Sequence, residues 1–560
     1  MVWSTTSIWR ASCEEFVARA PSVRRIALLL SDAADPKDVV EFGESHPDIS
    51  VAAFGVVGPS SLFDKSNLTI LRRRNFCVVH SFLTRWGPVD LLVEGPHTQE
   101  QVLTPRLLWH VRSGGEYLIS RTPFFLSLNP ETSPADVVSA LLRAATGTDP
   151  DPEQAQDMLD SINEVAISDS YIALVRIGDA AIKFRHSEMD PVLRPSRKAG
   201  WYRVIRVVPP SDLDSSAVLG THNDQDLSRK LFREVINTPE LKIREYEGVT
   251  AHPHGILLRD NYVLPDSFRL WMSGRLRHRQ LHDYGQYFVR PLDQSQPTAR
   301  FGGQYYYLCL EHPTHFGHFM IDGLARLWGW HWAKKRNPDL KLLVGALRPF
   351  QDEILRAFGI ASEDVVVTNK PVHVESMVSA MPSYCVGRYI SEKMRRTYHR
   401  LQRGIEIVDS PGGELIFLSR TPGLWRECVN APVVEEFFMS RGFSVHRPEL
   451  HTVAQQAALF RRARVVAGYI GSQFCGQLFS PGPLQLIGFT NRSYTSSNEF
   501  MMAAVLGHTL HQFWGVAPAA QREVDILGRP VRGAHQDYAF DVDRDLATLR
   551  RLVDGLTAPS

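Results

Sequence analysis

The stretch that decides the fold is Val465-Val466-Ala467-Gly468-Tyr469-Ile470-Gly471-Ser472, an apolar run that ends in a glycine-bearing turn before a short helix. Strand, turn and helix in this order are typical of α/β proteins whose sheet is covered on both faces. Gly468 and Gly471 allow a ligand to approach the backbone, and the N–H groups at the start of the helix can bind phosphate. The turn lacks the Gly-Lys-Ser/Thr ending of a P-loop, so by itself it indicates only an α/β unit.

The same alternation of apolar strands and helices continues on both sides of this stretch. Upstream, within 251–405, it predicts strands at Tyr305–Leu310, Leu342–Val344 and Val365–Val367 and helices at 317–335, 350–358 and 390–403. After Ser410-Pro411-Gly412-Gly413 it restarts and fills 406–540, with a strand at Leu415–Leu418, helices at 431–440, 453–462 and 497–506, and a final strand at 509–513. Two Rossmann-like halves are therefore expected to face one another across a cleft, followed by a helical tail at 541–560.

The N-terminal part of the chain predicts a further α/β domain. Within 1–143, strands are expected at Ile26–Leu30, Val51–Val57, Cys77–Val79, Leu91–Val93 and Tyr117–Ile119. The Pro- and Asp-rich residues 144–153 favour a linker. Residues 154–250 favour a β-rich connector, in which 171–175 and 180–184 can pair as a hairpin across Gly178-Asp179. The expected fold class is thus multidomain α/β.

Composition excludes several classes of function. Lys and Arg number 62 against 61 Asp and Glu, so no field of one sign favours nucleic acid. The six cysteines are scattered without zinc spacing, which suits reduced thiols in a cytosol. No signal-peptide pattern and no run of about 18 apolar residues is present, so no transmembrane segment is expected. Peripheral contact with the inner face of a membrane stays open, because an amphipathic surface needs no such run.

The first group of candidate residues lies in the helix predicted at 317–335. His318 and Asp322 are four residues apart and share a helix face with Arg326. A carboxylate beside an imidazole can orient it, and either group can act as a general base. The alternative is a hydrogen bond inside a helix interface. His312, His315 and His318 form H-x-x-H-x-x-H, but Pro313 separates the first histidine from the helix and no further ligand completes a zinc pattern, so no metal is expected.

The second group follows the strand at Leu415–Leu418. Arg420 stands just beyond the carboxyl end of this strand, the side that faces a cleft, and Arg426 follows in the same loop. Two guanidinium groups can bind a diphosphate bidentately and neutralise it as it leaves. The alternative is a surface loop with ordinary arginine–carboxylate pairs.

Taken in order, these segments resemble glycosyltransferase family 61. The resemblance covers roughly 245–515, with Val249–Phe268 similar to the lead-in of bacterial members. The matching positions are His318, Asp322, Leu324, Arg326, Leu327, Ser419, Arg420, Arg426, Asn430, Glu435, Gly442-Phe443, Pro448-Glu449, Gln455 or Gln456, Leu459-Phe460, Gly468, Gly471-Ser472 and Leu478-Phe479. The chain departs from the family pattern at His315, where the family has Asn, and at Ile470, Gln473 and Gly476 in the glycine turn.

The resemblance implies a GT-B-like, inverting, metal-independent enzyme that uses a nucleoside-diphosphate sugar and no cofactor. Its catalytic residues would be Asp322, preferred as base, and His318, which would orient the substrate. Its donor-binding residues would be Arg420, Arg426, Asn430, Glu435, Gly471 and Ser472, with His315 and Arg326 in support.

A second resemblance concerns the N-terminal domain. Val89–His97 and Leu107–Ile119 are similar to the latter half of a class I methyltransferase fold, but Ser31-Asp32-Ala33-Ala34 replaces the glycine-rich first turn. This domain is therefore interpreted as a degenerate Rossmann domain for binding or assembly.

The leading hypothesis is a cytoplasmic glycosyltransferase that acts on a carbohydrate or glycoconjugate acceptor in capsule or exopolysaccharide assembly. Two alternatives stay open: a non-catalytic nucleotide- or carbohydrate-binding scaffold, and a bifunctional enzyme that also transfers methyl groups. The donor sugar, acceptor, linkage and oligomeric state are not determined by the sequence.

Overall fold

The computed structural model describes residues 6–30, 34–57, 66–95, 102–121, 125, 127–193, 200–292, 296–518, 520–526 and 529–558. The chain forms two compact units, Met1–Ala199 with Asp260–Pro265 and Arg275–Gln294, and Gly200–Arg259 with Asp266–Gly274 and Ser295–Ser560. The expected multidomain α/β fold class is confirmed. Within the described ranges, no helix is both long and apolar enough to cross a lipid bilayer.

The first unit is built on a seven-stranded sheet. Its elements are α1 (Thr6–Arg19), β1 (Arg25–Leu29), α2 (Pro36–Ser45), β2 (Ser50–Phe54), β3 (Leu68–Leu71), α3 (Phe76–Trp86), β4 (Val89–Glu94), α4 (Thr104–Leu107), β5 (Val111–Ser120), α5 (Pro134–Thr146), α6 (Pro152–Leu159), β6 (Ile162–Ile167) and β7 (Tyr171–Arg176). The strand order is β3-β2-β1-β4-β5-β7-β6. The first five strands are parallel, and their order 3-2-1-4-5 is that of a Rossmann fold.

The remaining strands of this unit are β8 (Ala181–Lys183), β15 (Tyr262–Val263), β16 (Leu281–Tyr284) and β17 (Phe288–Pro291), with α7 (Met189–Leu193) beside them. The hairpin expected between 171–175 and 180–184 is wrong. β7 pairs with β5 and β6, and β8 pairs with β15 and β17. β7 is apolar and largely buried, so it gains more from a place inside the sheet than from a two-stranded ribbon.

Two further expectations for this unit are corrected. Cys77–Val79 is not a strand but part of α3, because Asn75 caps the helix by accepting from Val78 N at 3.1 Å and Phe76, Val79 and Leu83 bury one helical face. Residues 144–153 join α5 to α6, which pack together within the unit. The turn at Ser31–Ala33 and residues 96–97 lie outside the described residues.

The second unit contains a mixed sheet in its first half. Its elements are β9 (Tyr202–Val208), β10 (Ser211–Asp214), β11 (Val218–His222), α8 (Gln225–Leu231), β12 (Val235–Thr238), β13 (Leu241–Ala251), β14 (Leu257–Arg259), β18 (Ala299–Tyr307), α9 (Phe316–His318), α10 (Leu324–Leu327), α11 (Trp330–Arg336), β19 (Lys341–Val344), α12 (Pro349–Ala357), β20 (Val365–Val367), β21 (Val372–Ala380), β22 (Tyr384–Cys385), β23 (Tyr389–Ile390) and α13 (Glu392–Gly404). β21, β18, β19 and β20 are parallel neighbours, whereas β13 runs antiparallel to β21 and β9.

The long helix expected at 317–335 is interrupted. Between α9 and α10, residues Phe319–Gly323 form a π-helical turn, and α11 begins only at Trp330. Single π turns inside helices are frequently found at functional sites, because the extra residue per turn changes where a side chain points. Here the turn contains Asp322.

The second half carries a fully parallel sheet. Its elements are β24 (Leu415–Leu418), α14 (Ala431–Met439), β25 (Ser444–His446), α15 (Val453–Arg462), β26 (Val465–Tyr469), β27 (Gln485–Asn491), α16 (Asn498–Leu506), β28 (Thr509–Gly515) and α17 (Val542–Thr557). The order is β11-β28-β27-β26-β24-β25. Apart from β11 this is the doubly wound order 2-1-3-4-5, whose ligand crevice lies outside the carboxyl ends of strands 1 and 3. Those strands are β24 and β26.

Segment 200–250, expected as part of a connector, contributes to both halves of this unit. β9 pairs with β13 in the first half, and β11 pairs in parallel with β28 at the edge of the second. The Asn223 amide also donates to the carbonyl of Trp514 at 3.0 Å. Residues 200–250, which precede both halves of the second unit in the sequence, thus pair with strands of each half.

Direct hydrogen bonds also hold the two halves together. The Glu353 carboxylate in α12 accepts from the backbone N–H groups of Val453 and Ala454 at 3.0 and 2.6 Å, where α15 begins. The Gln402 amide in α13 donates to the carbonyl oxygens of Leu478 and Ser480. The two halves of the second unit are therefore fixed relative to each other by side-chain contacts as well.

Candidate functional site

His318 and Asp322 form a hydrogen-bonded pair in the first half of the second unit. His318 Nδ1 lies 2.9 Å from Asp322 Oδ2, and Arg269 Nε donates to the same oxygen at 3.0 Å. His315 caps α9, where its Nδ1 accepts from His318 N at 3.3 Å. His312 stacks on His318 with ring centroids 4.2 Å apart. The imidazole of His318 is thus fixed by contacts to its ring face and to Nδ1.

The protonation state of Asp322 follows from its neighbours. Burial opposes ionisation, but the Arg269 guanidinium and the hydrogen bond from His318 outweigh it and lower the pKa of Asp322 to about 2. An ionised carboxylate only accepts hydrogen bonds, so the proton of the shared bond belongs to Nδ1 of His318. In the neutral ring, Nε2 is then the basic nitrogen.

Arg420 and Arg426 form a pair at the crevice between β24 and β26. Arg420 follows β24, and Arg426 has a left-handed backbone with φ of 59°. A Cβ built on Gly471, which follows β26, would lie 3.5 Å from Arg426 Nη2 and 3.7 Å from Arg420 Nη1. Both guanidinium groups therefore converge on the glycine turn. A strained non-glycine backbone of this kind is typical of functional sites.

Neither guanidinium group of this pair has all of its nitrogens hydrogen-bonded within the described residues. Arg420 Nη1 and Arg426 Nε and Nη1 are buried and lack hydrogen-bond partners there. Burial, reinforced by repulsion from Arg426, lowers the pKa of Arg420 to about 10. Buried cations are costly unless they are paired, so this arrangement favours a bound anion. Arg426 also stacks over the Tyr494 ring, with Cζ 3.9 Å from its centroid.

The two groups of residues meet at one place. A Cβ added to Gly317 would lie 2.4 Å from Ser472 Oγ, so α9 and the start of the 3₁₀ helix Ser472–Phe479 are in direct contact. Burial, with contributions from His318 and Arg426, lowers the pKa of His315 to about 4. On the other side of Ser472, Gly471 faces both guanidinium groups. The His318–Asp322 pair and the Arg420–Arg426 pair are therefore neighbours.

Other residues singled out in the sequence make internal contacts. Asn430 pairs through its amide with the backbone N–H and C=O of Phe540. Glu435 accepts from Ser419 Oγ at 2.7 Å, one residue before Arg420. Arg326 donates to the carbonyl of Asp266 at 2.8 Å and is 3% exposed. These side chains hold the backbone around the site.

Sequence reasoning missed Arg269, Tyr494 and Glu499. Glu499 lies in the first turn of α16 and is 5% exposed. Burial raises its pKa to about 7, against an opposing effect of Arg426. A single acidic residue at the start of an otherwise apolar helix was the available signal.

We expect Glu499→Gln to stabilise the protein above neutral pH. The folded state holds the Glu499 proton up to about pH 7, whereas the unfolded chain releases it near 4.5, so this contribution to stability is complete at low pH and is lost as the pH rises through that window. The variant should melt about 4 °C or more above wild type at pH 8 and equally at pH 4.5. Melting curves from pH 4 to 9 measure this, with the exposed Glu436→Gln as control. Parallel curves for wild type and Glu499→Gln would contradict it.

In the first unit, Glu94 is buried within its own domain. Its carboxylate accepts from Leu103 N and Thr104 Oγ1 at 2.6 Å and from Tyr117 OH at 2.9 Å. These bonds tie the end of β4 to α4 and β5. They give the carboxylate a structural role.

Residues 316–487 match the glycosyltransferase 61 family. This segment is just under a third of the chain and runs from α9 into β27. It contains the His318–Asp322 pair, Arg420 and Arg426, and the turn at Gly471. The match supports glycosyltransferase activity. No curated protein matches the chain.

Several solved methyltransferase structures are similar to just under a third of this chain. The MycE methyltransferase from the mycinamycin biosynthetic pathway, with Mg and SAH, has 15% identity and a TM-score of 0.23, over 30% of this chain and 46% of that one. The S-adenosylmethionine-dependent methyltransferase SibL has 14% identity and a TM-score of 0.19, over 31% and 56%. An O-methyltransferase family protein from Burkholderia thailandensis has 10% identity and a TM-score of 0.19, over 31% and 58%. The chain spans about half the length of these structures, and such low scores carry no conclusion about fold or activity.

Proposed function

We propose that the chain is a member of glycosyltransferase family 61 that transfers a sugar from a nucleoside diphosphate to a carbohydrate hydroxyl with inversion. The observation that carries this proposal is the pair Arg420 and Arg426, whose buried nitrogens lack hydrogen-bond partners among the described residues. The pair lies at the crevice of a doubly wound sheet beside a His–Asp pair. The family match of residues 316–487 supports it. In the proposed GT-B-like arrangement, the first half binds the acceptor and the second half binds the donor.

The proposed reaction is a single displacement. His318 Nε2 removes the proton of the acceptor hydroxyl as its oxygen attacks the anomeric carbon from the face opposite the diphosphate. The bond between the anomeric carbon and the phosphate oxygen breaks, and the electron pair leaves with the nucleoside diphosphate. Asp322 keeps the proton of His318 on Nδ1 and stabilises the imidazolium that forms. This assignment exchanges the roles expected from the sequence, because a carboxylate with a pKa of about 2 is a weak base.

The leaving group is stabilised by the second half. Arg420 and Arg426 neutralise the charge that develops on the diphosphate, and Gly471 leaves room for it beside the N–H groups that begin the 3₁₀ helix. Two guanidinium groups supply the charge that a divalent cation provides elsewhere, so we propose a reaction without metal. Capsule or exopolysaccharide assembly, at the cytoplasmic face of a membrane, is the proposed setting on the family resemblance.

The test is a panel of UDP-, GDP-, CMP- and dTDP-sugars. Thermal shift identifies which donors bind, and release of the nucleotide with and without carbohydrate acceptors, in the presence of EDTA, measures turnover. Turnover with one donor supports the proposal. Binding without turnover for every donor and acceptor favours a non-catalytic scaffold, and no binding at all contradicts it.

We expect Gly471→Ala to weaken binding of the nucleoside diphosphate on the order of 10-fold while the fold is retained. The added methyl group would stand 3.5 Å from Arg426 and 3.7 Å from Arg420, where the anion is expected to lie, and the extended backbone at Gly471 (φ 169°) accepts alanine without strain. Isothermal titration calorimetry measures the change. Gly413→Ala is the control, because no atom lies within 4 Å of its Cβ position. Equal affinity for both variants would contradict the placement.

A further inference from the structure

One side of α13 carries a stripe of basic residues. Their spacing of three or four positions places them along one side of a helix. They are Lys393, Arg396, Arg400 and Arg403. The last three are exposed, whereas the opposite side of α13 is buried within the second unit. The stripe is therefore open to solvent.

A second group of basic side chains surrounds Trp332 in α11. Cζ of Arg206, from β9, lies 5.1 Å from the centroid of the Trp332 ring, and Cζ of Arg336 lies 5.0 Å from it. Lys335 and Arg336 are exposed and follow Trp332 on the next helical turn, so the three residues share one side of α11. Basic side chains thus cluster around a half-buried indole.

The stripe and this cluster form one surface. Arg400 Cζ lies 5.8 Å from the centroid of the Phe358 ring, and the ring of His331 in α11 lies 5.1 Å from the same centroid. At the other end of the stripe, Lys393 lines a cavity together with Val208 of β9. We call this surface the basic face. It consists of Arg206, Lys335, Arg336, Lys393, Arg396, Arg400 and Arg403.

Few carboxylates balance the basic face. Glu392 forms an ion pair with Arg395 and lies 3.5 Å from Arg396. Across the described part of the chain, the other members of the basic face take part in no ion pair. Burial, with repulsion from Arg396 and Arg206, lowers the pKa of Lys393. Because like charges repel, the basic face is stabilised by an anionic partner.

Apolar residues border the basic face. Val208-Pro209-Pro210 and Lys393 line one cavity of about 630 Å³, and both prolines are exposed. Asp212 and Asp214 also line this cavity, so we expect an anion to bind the basic face rather than the cavity. Basic side chains next to exposed apolar residues and a tryptophan are typical of surfaces that bind a lipid interface. An acidic glycan would need the cations but not the apolar border.

We propose that the basic face docks this protein on an anionic lipid surface. The phosphates of the head groups pair with its guanidinium and ammonium groups, and Trp332 lies at the level of the head groups. Each Lys or Arg next to such a surface strengthens binding roughly fivefold, so several together give a stable but salt-sensitive complex. The inference goes beyond the proposed function and does not depend on it, because the basic face lies outside the crevice at β24 and β26.

The test is co-sedimentation of the full chain with vesicles of phosphatidylcholine alone and of an equimolar mixture of phosphatidylcholine and phosphatidylglycerol. We expect wild type to bind only the mixed vesicles and to be released by added salt. The variant Arg396→Gln/Arg400→Gln should bind them about 25-fold more weakly, since it removes two charges from the stripe. Both positions are exposed, so the melting temperature should stay close to that of wild type.

The matched control is Arg550→Gln/Arg551→Gln, which removes the same charge from exposed positions of α17 and should bind within about 2-fold of wild type. Equal weakening in both double variants overturns the inference, because net charge rather than the basic face would then decide binding. Wild type that binds neither vesicle, or both equally, also overturns it. Retention on immobilised polygalacturonate without binding to the mixed vesicles overturns it in favour of an acidic glycan. The proposed function is tested separately, since nucleoside-diphosphate affinity should be the same in Arg396→Gln/Arg400→Gln and wild type.

Discussion

Replacing His318 by Gln is expected to lower the turnover number for sugar transfer on the order of 10³-fold while donor affinity changes little. Glutamine keeps a polar side chain of similar length but cannot take the acceptor proton. Asp322→Asn should lower turnover by a similar factor, because an amide no longer holds the proton of His318 on Nδ1. The double variant should be no slower than the worse single variant, since the two residues act as a unit. Steady-state kinetics on the donor identified by the panel measure all three.

A second His–Asp pair provides the control for this substitution. His282 Nε2 lies 2.7 Å from Asp157 Oδ1 in the first unit, and Asp157→Asn should leave turnover unchanged. The pH profile separates the two candidate bases. If His318 is the base, turnover falls as the pH is lowered, because a protonated imidazole cannot take the proton of the acceptor hydroxyl. Activity that persists below pH 4 would instead assign the base to Asp322, whose pKa is about 2.

Arg420→Met is expected to weaken nucleoside-diphosphate binding on the order of 100-fold and to leave the ligand-free protein as stable as wild type or more stable. The lost guanidinium contributes charge-assisted hydrogen bonds to the diphosphate. Without ligand it is a buried cation with an unpartnered nitrogen, repelled by Arg426, and methionine fills its volume without that cost. Calorimetric titration and melting temperature measure the two effects separately.

The control for Arg420→Met is Arg176→Met. Arg176 is also buried and has unpartnered nitrogens, but it donates to the carbonyl of Val111 at 2.9 Å within the first unit. Its loss should lower the melting temperature and leave nucleotide affinity unchanged. A destabilised Arg420→Met with normal nucleotide affinity would show that Arg420 is a structural residue, and would remove the main support for the proposed function.

Local pattern predicts the second half of the second unit well. The strand at Leu415–Leu418, the strand in the apolar run that begins at Val465 and the helix at 453–462 lie where the sequence pattern predicts them. These elements are decided by neighbours along the chain. The pairing of distant strands is not decided in this way. The hairpin expected at 171–184 is wrong, because a buried apolar strand such as β7 can pair with any strand that gives it a place inside a covered sheet.

The candidate site shows the same contrast between features that follow from neighbouring residues in the sequence and features that depend on distant contacts. Residues that follow a strand, such as Arg420 and Gly471, could be located from the rule that ligands bind at the carboxyl ends of strands. Arg269 could not, because it precedes Asp322 by 53 residues and approaches it only through the fold. That ion pair lowers the pKa of Asp322, and for this reason we propose His318 rather than Asp322 as the base. Spacing along the sequence predicts which residues share a helix face. It does not predict which charged side chains surround them and shift their pKa values.

The pairing of β11 with β28 sets a limit on dissecting this protein. A fragment that begins at residue 406 would omit β11, and the backbone N–H and C=O groups along one side of β28 would be open to another chain. Exposed parallel edges of this kind recruit further strands and promote aggregation. Recombination between relatives at the 405–406 boundary would join a β28 to a β11 with which it had not been selected. A productive exchange of the second half therefore has to carry residues 218–222 along with it.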